Sequence, residues 1–242
     1  MGYVKQPHYV PEFYLKRFTD VDGKFHVYVK SKKAFLPGRQ NPRKFATEGK
    51  FYDTPIANIH ELVKWFVELH PTEANLKVFG DVQYIEHYLG RIETDIANIF
   101  RSLDEDAVTI QSIELQAKIA YFMYSTYVRT KATRNVYTNI SQHIYTQLDK
   151  ILPKERNHEK ERFHPQKAKE IQFANLFDMK QLLEFSRNLL FGYSWNIGIN
   201  NTKFDFIVSD HPAMIASLQF NGDICIIIIG KRGGDNIMSN LQ

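Results

Sequence analysis

The residues of this chain whose types and spacing could do chemistry lie near its two ends. His8 stands close to the N-terminus, and Asp210 and His211 stand together just before Pro212. A histidine with a pKa near 6.5 can act as an acid, a base, an anion contact or a metal ligand at neutral pH. A neighbouring carboxylate can orient it or share a metal ion. We therefore take His8, Asp210 and His211 as candidate catalytic residues.

Each of these residues also has an ordinary structural explanation. His8 could hydrogen-bond the turn that precedes a short helix beginning near Pro11, and so fix the direction of the chain. Asp210 stands in a turn before Pro212, where aspartate commonly hydrogen-bonds its own backbone. The sequence alone is compatible with both kinds of role.

Four further residues could hold an anionic substrate, namely Tyr14, Arg17, Arg129 and Arg134. An arginine guanidinium is planar and binds two oxygens of a phosphate or carboxylate at once, and a tyrosine ring can stack on a base. The competing interpretation is an aromatic edge of the core in which an arginine pairs with an acid. The residue types do not separate these two interpretations.

A basic loop extends from Lys30 to Lys50, with seven lysines or arginines against Glu48 alone. Short basic segments either keep a connection solvated or contact phosphates. If the second role applies, we expect the nucleic-acid contacts to come from Lys32, Lys33, Arg39, Arg43 and Lys44.

The remaining ionisable residues carry weaker signals. Glu86 and Glu93 are two turns apart on one face of a predicted helix, and ordinary solvent exposure explains them adequately. His158 and His164 lack the spacing of a helical metal pair, so we assign them no ligand role. A divalent metal ion is compatible with His8 and Asp210, and the sequence leaves the cofactor unknown.

Regular elements must position these residues. A short buried helix is predicted from Pro11, and the alternation of Phe25, Val27 and Val29 with polar neighbours predicts a strand. Apolar residues at helical spacing predict four longer helices, with a kink in the third near residues 130–133. These helices are expected at about 55–71, 82–103, 112–152 and 166–190.

The last quarter of the chain has the pattern of strands joined by turn residues. We expect strands at 194–199, 204–209 and 223–229, and a mobile loop or internal boundary at 153–165. The predicted fold is therefore α+β: a mainly helical body with a small, mostly antiparallel sheet built from N-terminal and C-terminal strands. We expect residues 1–242 to form a single domain.

Composition limits the classes of protein to which this chain can belong. Its 242 residues are 43% hydrophobic, which is enough for a sizeable core, and Cys225 is the single cysteine. No signal-peptide pattern is present, and the longest apolar run is too short to cross a bilayer, so we expect no membrane association and a cytoplasmic location. The net charge of +4 is compatible with nucleic acid or another phosphate-bearing partner.

Taken together, the motifs resemble those of the uncharacterised family known as domain of unknown function 4238. The resemblance rests on the HxVPxFYLxxF pattern from His8 to Phe18, on Phe51-Tyr52, on Arg129-Thr130 and on the SDxP pattern that begins at Ser209. It implies that the recurrent His, Arg and Asp residues form a site, and it suggests a link to mobile-element and phage-defence genes. Because family members continue further past the SDxP pattern, we expect this chain to be a short or truncated member.

These observations lead to one leading expectation about function and two alternatives. We expect a nuclease or phosphodiesterase acting on nucleic acid in a defence or mobile-element context. In it, His8 with Asp210 or His211 would serve as base or metal ligand, and Arg17 and Arg129 would stabilise charge. The alternatives are a non-catalytic module that binds nucleic acid or protein, and a metabolic enzyme acting on a small anion. The first expectation requires the two ends of the chain to meet in space.

Overall fold

The computed structural model describes residues 3–54, 82–105, 112–151, 165–192, 195, 207–210 and 212. Within these ranges the chain forms six α-helices and one two-stranded antiparallel sheet. In chain order the elements are α1 (Glu12–Lys16), β1 (Tyr28–Val29), β2 (Ala34–Phe35), α2 (Tyr84–Glu105), α3 (Ile113–Arg129), α4 (Lys131–Ile151), α5 (Pro165–Leu176) and α6 (Met179–Gly192).

The short helix α1 lies against α2 and α3. It begins at Glu12, directly after Pro11, whose φ of −53° suits a helix start. The ring of Phe13 lies 6.1 Å from that of Phe100 on α2 and 5.7 Å from that of Phe122 on α3, measured between centroids. The predicted buried helix is confirmed, and its aromatic residues are part of the main hydrophobic core.

The two strands form a hairpin that extends beyond the formal sheet. Tyr28 pairs with Phe35 and Val29 with Ala34, and an isolated bridge joins Phe25 to Gln40. A single 3₁₀ turn and a residue with a φ of +50° make the connection between the strands. The predicted alternation is confirmed, because Phe25, Val27 and Val29 are partly buried and the residues between them are exposed.

Helix α2 was predicted at 82–103 and runs from Tyr84 to Glu105. Its buried residues recur at helical spacing and face α3, against which the helix packs. The apolar members of this buried stripe are Ile85, Leu89, Ile96 and Phe100.

The kink predicted near residues 130–133 is confirmed as a complete break between α3 and α4. Thr130 has an extended backbone, with φ −71° and ψ 159°, so the helical hydrogen bonds stop there. The amide of Thr133 then donates to Thr130 Oγ1 over 3.3 Å and so caps the start of α4. The start of α3 is capped in the same way by Ser112, whose side chain accepts from the amide of Leu115.

The single helix predicted at 166–190 was wrong. The chain forms α5 and α6 there, interrupted after Leu176, and Asp178 accepts a 3.1 Å hydrogen bond from the amide of Gln181. This contact caps the first turn of α6, a role that aspartate fills better than a place inside a helix. The apolar periodicity continues across the interruption, which is why spacing alone did not reveal it.

The α+β fold class is confirmed, whereas most of the predicted C-terminal strands fall on residues that the structure does not describe. The architecture is α+β, mainly helical with a small antiparallel sheet, and both strands of this sheet come from the N-terminal region. The predicted strand at 204–209 can be compared at Ile207, Val208 and Ser209, none of which has strand structure. The predictions for 55–71 and 223–229 lie outside the described residues. Of the predicted strand at 194–199 only Trp195 is described, without strand structure, and of the predicted loop at 153–165 only Pro165 is described, at the start of α5.

The helices of the described ranges have no segment that is both long enough and apolar enough to cross a membrane.

Gln172 of α5 holds the break between α3 and α4 in place. Its amide nitrogen donates to the carbonyl oxygens of Val128 and Thr130 over 2.8 and 2.9 Å, and its oxygen accepts from Arg134 Nε over 2.7 Å. The side chain is fully buried. It therefore satisfies carbonyls that the end of α3 would otherwise leave without a partner.

Replacing Gln172 with leucine should destabilise the fold. The substitution keeps the side-chain volume similar but leaves two buried carbonyls and one guanidinium nitrogen without partners, so we expect the free energy of unfolding to fall by about 2–4 kcal/mol. Urea denaturation followed by circular dichroism measures this change. The matched control is Gln142→Leu on the exposed side of α4, which should change stability little. Equal effects of the two substitutions would contradict the role given to Gln172.

Candidate functional site

A group of polar residues interrupts the buried stripes of α2 and α3 at one end of the helix pair. On α2 the stripe reads Glu86, Leu89, Glu93 and Ile96, at alternating spacings of three and four. Residues at this spacing lie on one face of a helix, so both carboxylates are directed toward the packed side. On α3 the stripe ends with Arg129, which meets Glu93 there.

Arg129 is the centre of this group. Its side chain is 1% exposed, and Nη1 donates to Glu93 Oε1 over 2.6 Å. Among the residues that the structure describes, none accepts a hydrogen bond from its buried Nε and Nη2 atoms. Burial alone would lower the pKa of Arg129, but the neighbouring Glu93, Tyr52 and Glu86 raise it above its ordinary value. The guanidinium therefore stays charged, and none of the described residues uses two of its buried donors.

Glu86 lies on α2 two helical turns before Glu93 and shares this environment. Burial, followed by the negative charge of Glu93, raises the pKa of Glu86 to about 7, against the opposing influence of Arg129. A carboxyl group with this pKa is partly protonated at neutral pH. It can therefore donate a proton as well as accept one.

His8 enters the same environment from the N-terminal segment. Its backbone forms a bridge with Thr47, and its carbonyl oxygen accepts a 3.1 Å hydrogen bond from the hydroxyl of Tyr52. The ring nitrogen Nε2 is buried without a hydrogen-bond partner among the described residues. Burial lowers the pKa of His8, against the opposing negative charges of Glu12 and then Glu93, and the positive charge of Arg129 lowers it further. The ring is therefore neutral at pH 7.

The expectation that solvent exposure explains Glu86 and Glu93 was wrong. Glu93 pairs with a buried arginine, and Glu86 is largely buried. The missed signal was their register, because both acids occupy positions of the stripe that also contains Leu89 and Ile96. A carboxylate in the apolar stripe of a helix needs a buried partner, and this requirement could have directed attention to Arg129.

The comparison with protein families agrees with the motifs. Residues 6–226 match the model of the family described as a protein of unknown function, DUF4238. The chain belongs to the DUF4238 family. No curated protein and no solved structure matches the chain significantly. The matched region includes His8, Arg129 and the SDxP pattern.

The SDxP pattern of this DUF4238 member lies close to the residue that follows His8. After burial, the negative charge of Asp210 is the strongest influence raising the pKa of Tyr9, and Val208 packs against the hydrophobic core. Asp210 itself is exposed, and it is absent from the leading charges that act on His8. The two ends of the chain therefore come near each other, with Asp210 at the edge of the buried group. His211 lies outside the described residues.

Tyr14 and Arg17, which were also predicted to contact the substrate, make contacts with the hydrophobic core. Tyr14 is buried in the core, and burial raises its pKa to about 12. The guanidinium of Arg17 lies 5.2 Å from the ring centre of Phe100, as a cation–π contact.

Arg134 is used by the scaffold. Its Nη2 donates to the carbonyl oxygen of Phe51 over 3.1 Å, and its guanidinium carbon lies 3.5 Å from the centre of the Phe51 ring. Burial lowers the pKa of Arg134 to about 10. Together with the bond from its Nε to Gln172, these contacts tie α4 to α5 and to the N-terminal segment.

The basic loop divides into paired and unpaired residues. Arg39 forms ion pairs with Asp20 and Asp22, and Arg43 Nε lies 2.9 Å from Glu12 Oε1. These two arginines therefore fasten the loop to the rest of the chain. Within the described ranges, no carboxylate pairs with the other three predicted nucleic-acid contacts, which are all exposed: Lys32, Lys33 and Lys44.

Across the described residues, no three His, Cys, Asp or Glu side chains are grouped so that they could hold a metal ion. The side chains of this group are of types that can bind an anion, in the case of Arg129, and transfer a proton, in the case of His8 and Glu86.

Glu86 should make the stability of the protein depend on pH in a definite direction. The pKa of Glu86 is higher in the folded protein than in the unfolded chain, so protonated Glu86 favours the folded state. Its contribution to the free energy of unfolding is fully present below pH 4.5, the ordinary pKa of glutamate, and is lost as the pH rises through about 7. Replacement by glutamine removes this dependence. We expect the stability of Glu86→Gln relative to the natural protein to increase by about 2–3 kcal/mol between pH 4.5 and pH 8.

Urea unfolding at a series of pH values measures this difference. The matched control is Glu114→Gln, because Glu114 is an exposed glutamate whose pKa is lowered by its hydrogen bond and charge pairing with Lys118. This control should show no gain in relative stability at high pH. A Glu86→Gln curve parallel to that of the natural protein would contradict the raised pKa.

Proposed function

We propose that this chain is a phosphodiesterase that acts on nucleic acid, with its reaction centre formed by His8, Glu86, Glu93 and Arg129. The observation that carries the proposal is the buried guanidinium of Arg129, which has one nitrogen engaged by Glu93 and two donors open. Charged groups are expensive to bury without full pairing, and such cost is commonly retained where a ligand completes the pairing.

The two open donors suit a phosphate group. Nε and Nη2 lie on the same edge of the guanidinium plane, so their N–H bonds are nearly parallel. Two oxygens of one phosphate match this edge, whereas a single carbonyl oxygen does not. An unmade bond to a buried donor costs about 1–3 kcal/mol, so a phosphate that completes both bonds recovers this free energy on binding.

The proton-transfer groups support hydrolysis of a phosphate ester. In the proposed reaction, His8 Nε2 takes a proton from a water molecule as its oxygen forms a bond to phosphorus. The bond from phosphorus to the leaving oxygen breaks, and Glu86 gives its proton to that oxygen. Arg129 stabilises the negative charge on the other phosphate oxygens, and the reverse proton transfers through solvent restore both groups.

The C-terminal motif supplies an additional candidate group. Asp210 lies close enough to Tyr9, the residue after His8, for its negative charge to raise the pKa of Tyr9. We propose that Asp210 orients the substrate or shares a divalent ion with His8, and that His211 contributes beside it. Activity measured with chelator and with added Mg²⁺ or Mn²⁺ distinguishes these two roles.

The choice of nucleic acid as the substrate rests on charge. The chain carries a net charge of +4, and Lys32, Lys33 and Lys44 are exposed cations that need no partner within the described fold. Phosphate backbones attract such residues independently of sequence. The link of the family resemblance to mobile-element and defence genes makes phage and plasmid nucleic acid the first natural substrates to test.

Replacing the proton-transfer residues should remove activity without removing the fold. We expect His8→Gln and Glu86→Gln each to lower kcat by about 10²- to 10⁴-fold on bis-p-nitrophenyl phosphate and on a labelled oligonucleotide. His143→Gln, which changes an exposed histidine on α4, is the matched control and should keep natural activity. Circular dichroism of each variant checks that the helices are retained.

The pH dependence identifies which group does which task. For the natural protein, kcat/KM should rise with pH through the lowered pKa of His8, as the ring becomes neutral, and fall above about 7, as Glu86 loses its proton. Glu86→Gln should lose the alkaline limb and His8→Gln the acidic limb. Unchanged profiles in both variants would remove these residues from the mechanism.

The second candidate function is a non-catalytic module that binds nucleic acid or protein. The exposed lysines of the basic loop, which pair with no carboxylate of the described ranges, favour its nucleic-acid form. Absence of hydrolysis by the natural protein with any divalent ion, combined with salt-sensitive binding of an oligonucleotide, would support this candidate. Binding that does not weaken with salt would instead favour a protein partner.

A further inference from the structure

The outer face of the hairpin carries three exposed aromatic rings, and the ring of Phe35 lies beside each of the other two. Tyr28 and Phe35 are directly opposite across the two strands, 53% and 66% exposed, with ring centres 5.2 Å apart. His26 lies two residues before Tyr28 on the same face, and its ring is 6.5 Å from that of Phe35. We call His26, Tyr28 and Phe35 the hairpin aromatic face.

This face is not a by-product of the core. The opposite side of the hairpin is the one that packs, since Phe25, Val27 and Val29 are partly buried and the Phe25 ring contacts that of Phe45. An antiparallel hairpin with one packed side normally directs polar residues to solvent on the other. Two large aromatic residues and a histidine occupy that position instead, which is typical of a surface used for recognition.

The charge around the hairpin aromatic face has one sign. Between Gly23 and Gly38 there are four lysines and neither aspartate nor glutamate. Three of them, Lys30, Lys32 and Lys33, form the turn that joins the strands. The nearest acids along the chain, Asp20 and Asp22, are already paired with Arg39, so they do not offset the lysines.

We propose that the hairpin aromatic face binds single-stranded nucleic acid, with unpaired bases stacked on Tyr28 and Phe35 and phosphates held by the lysine turn. Exposed rings beside cations match the alternation of base and phosphate along a single strand. In a duplex the bases are stacked on each other and present no open face. The inference rests on the proposed function only for the choice of nucleic acid as ligand, and it adds that the strand is unpaired.

Fluorescence anisotropy with labelled dT20 tests the proposal, using the full-length His8→Gln variant so that the strand is not cleaved. Adding Tyr28→Ala or Phe35→Ala should weaken binding about 10-fold each. Phe35→Tyr, which keeps the ring, should restore the affinity. Phe191→Ala is the matched control, because Phe191 is 76% exposed on α6 and should not affect binding.

The lysine turn is tested by the salt dependence of the same binding. Replacing Lys30, Lys32 and Lys33 together by alanine should reduce the slope of log affinity against log salt by about 2, at about 0.7 for each phosphate contact on a single strand. A duplex of the same length should bind more weakly than dT20 and should not respond to Tyr28→Ala.

Three results would overturn the proposal. They are unchanged dT20 affinity in the Tyr28 and Phe35 variants, equal binding of duplex and single strand, and binding to vesicles containing phosphatidylserine in place of dT20. Hydrolysis of bis-p-nitrophenyl phosphate separates this proposal from the proposed function. Hydrolysis without dT20 binding would contradict the single-strand binding proposed for the hairpin aromatic face and leave the phosphodiesterase proposal intact. Binding of dT20 that depends on the hairpin, without hydrolysis, would support the binding proposal and contradict the phosphodiesterase proposal.

Discussion

The ion pair between Arg129 and Glu93 is the constraint on which the rest of the structure depends. It joins α2 to α3 inside the protein, where the negative charge of a carboxylate offsets the cost of removing an arginine from water. The attraction within a buried ion pair adds little to the free energy of unfolding, because removing both charges from water offsets it. Any packing that separated the two residues would instead leave a buried charge without a partner, which is strongly destabilising. The register of α2 against α3 is therefore fixed at this end by charge. Further along, it is set by apolar packing, in which Phe100 meets Phe122 at a centroid distance of 5.7 Å.

The break at Thr130 comes directly after the arginine of this ion pair. Arg129 is the last residue of α3, and the chain must leave the helix axis there for α4 to pack against α5. Ending a helix inside the protein leaves its last carbonyl oxygens in an apolar environment without hydrogen-bond partners. Gln172 donates to two of these oxygens and so supplies the missing hydrogen bonds. The oxygen of the same amide then orients Arg134. One buried amide thus connects the helix that carries the proposed phosphate contact to the scaffold formed by α4 and α5.

Local patterns in the sequence were enough to predict much of the scaffold and little of the site. The helix at 84–105 and the alternation along the hairpin follow from apolar spacing, which acts over a few positions. The kink near Thr130 was expected because the predicted third helix was unusually long for one uninterrupted element. The interruption before Asp178 was missed because a cap and a helix interior can have the same apolar period. The pairing of Glu93 with Arg129 is a tertiary contact between residues 36 positions apart, and its local signal was only an acid in an apolar stripe. The placement of Glu86 beside Arg129 and the pairing of Arg39 with Asp20 are also tertiary contacts, which local patterns in the sequence do not reveal.

The clearest distinction between scaffold and site is which polar atoms the fold already uses. Arg134 is as conspicuous in the sequence as Arg129, but Gln172, the Phe51 carbonyl and the Phe51 ring account for it. For Arg129 the fold uses Nη1, and for His8 it uses the backbone through Tyr52 and Thr47. The guanidinium edge of Nε and Nη2 and the ring atom Nε2 remain, buried and without partners among the described residues. Burying donors and acceptors in this way lowers stability, so a fold that needed these residues only for packing would be better served by apolar ones. That residual cost is the physical reason for regarding this end of the helix pair as a binding site.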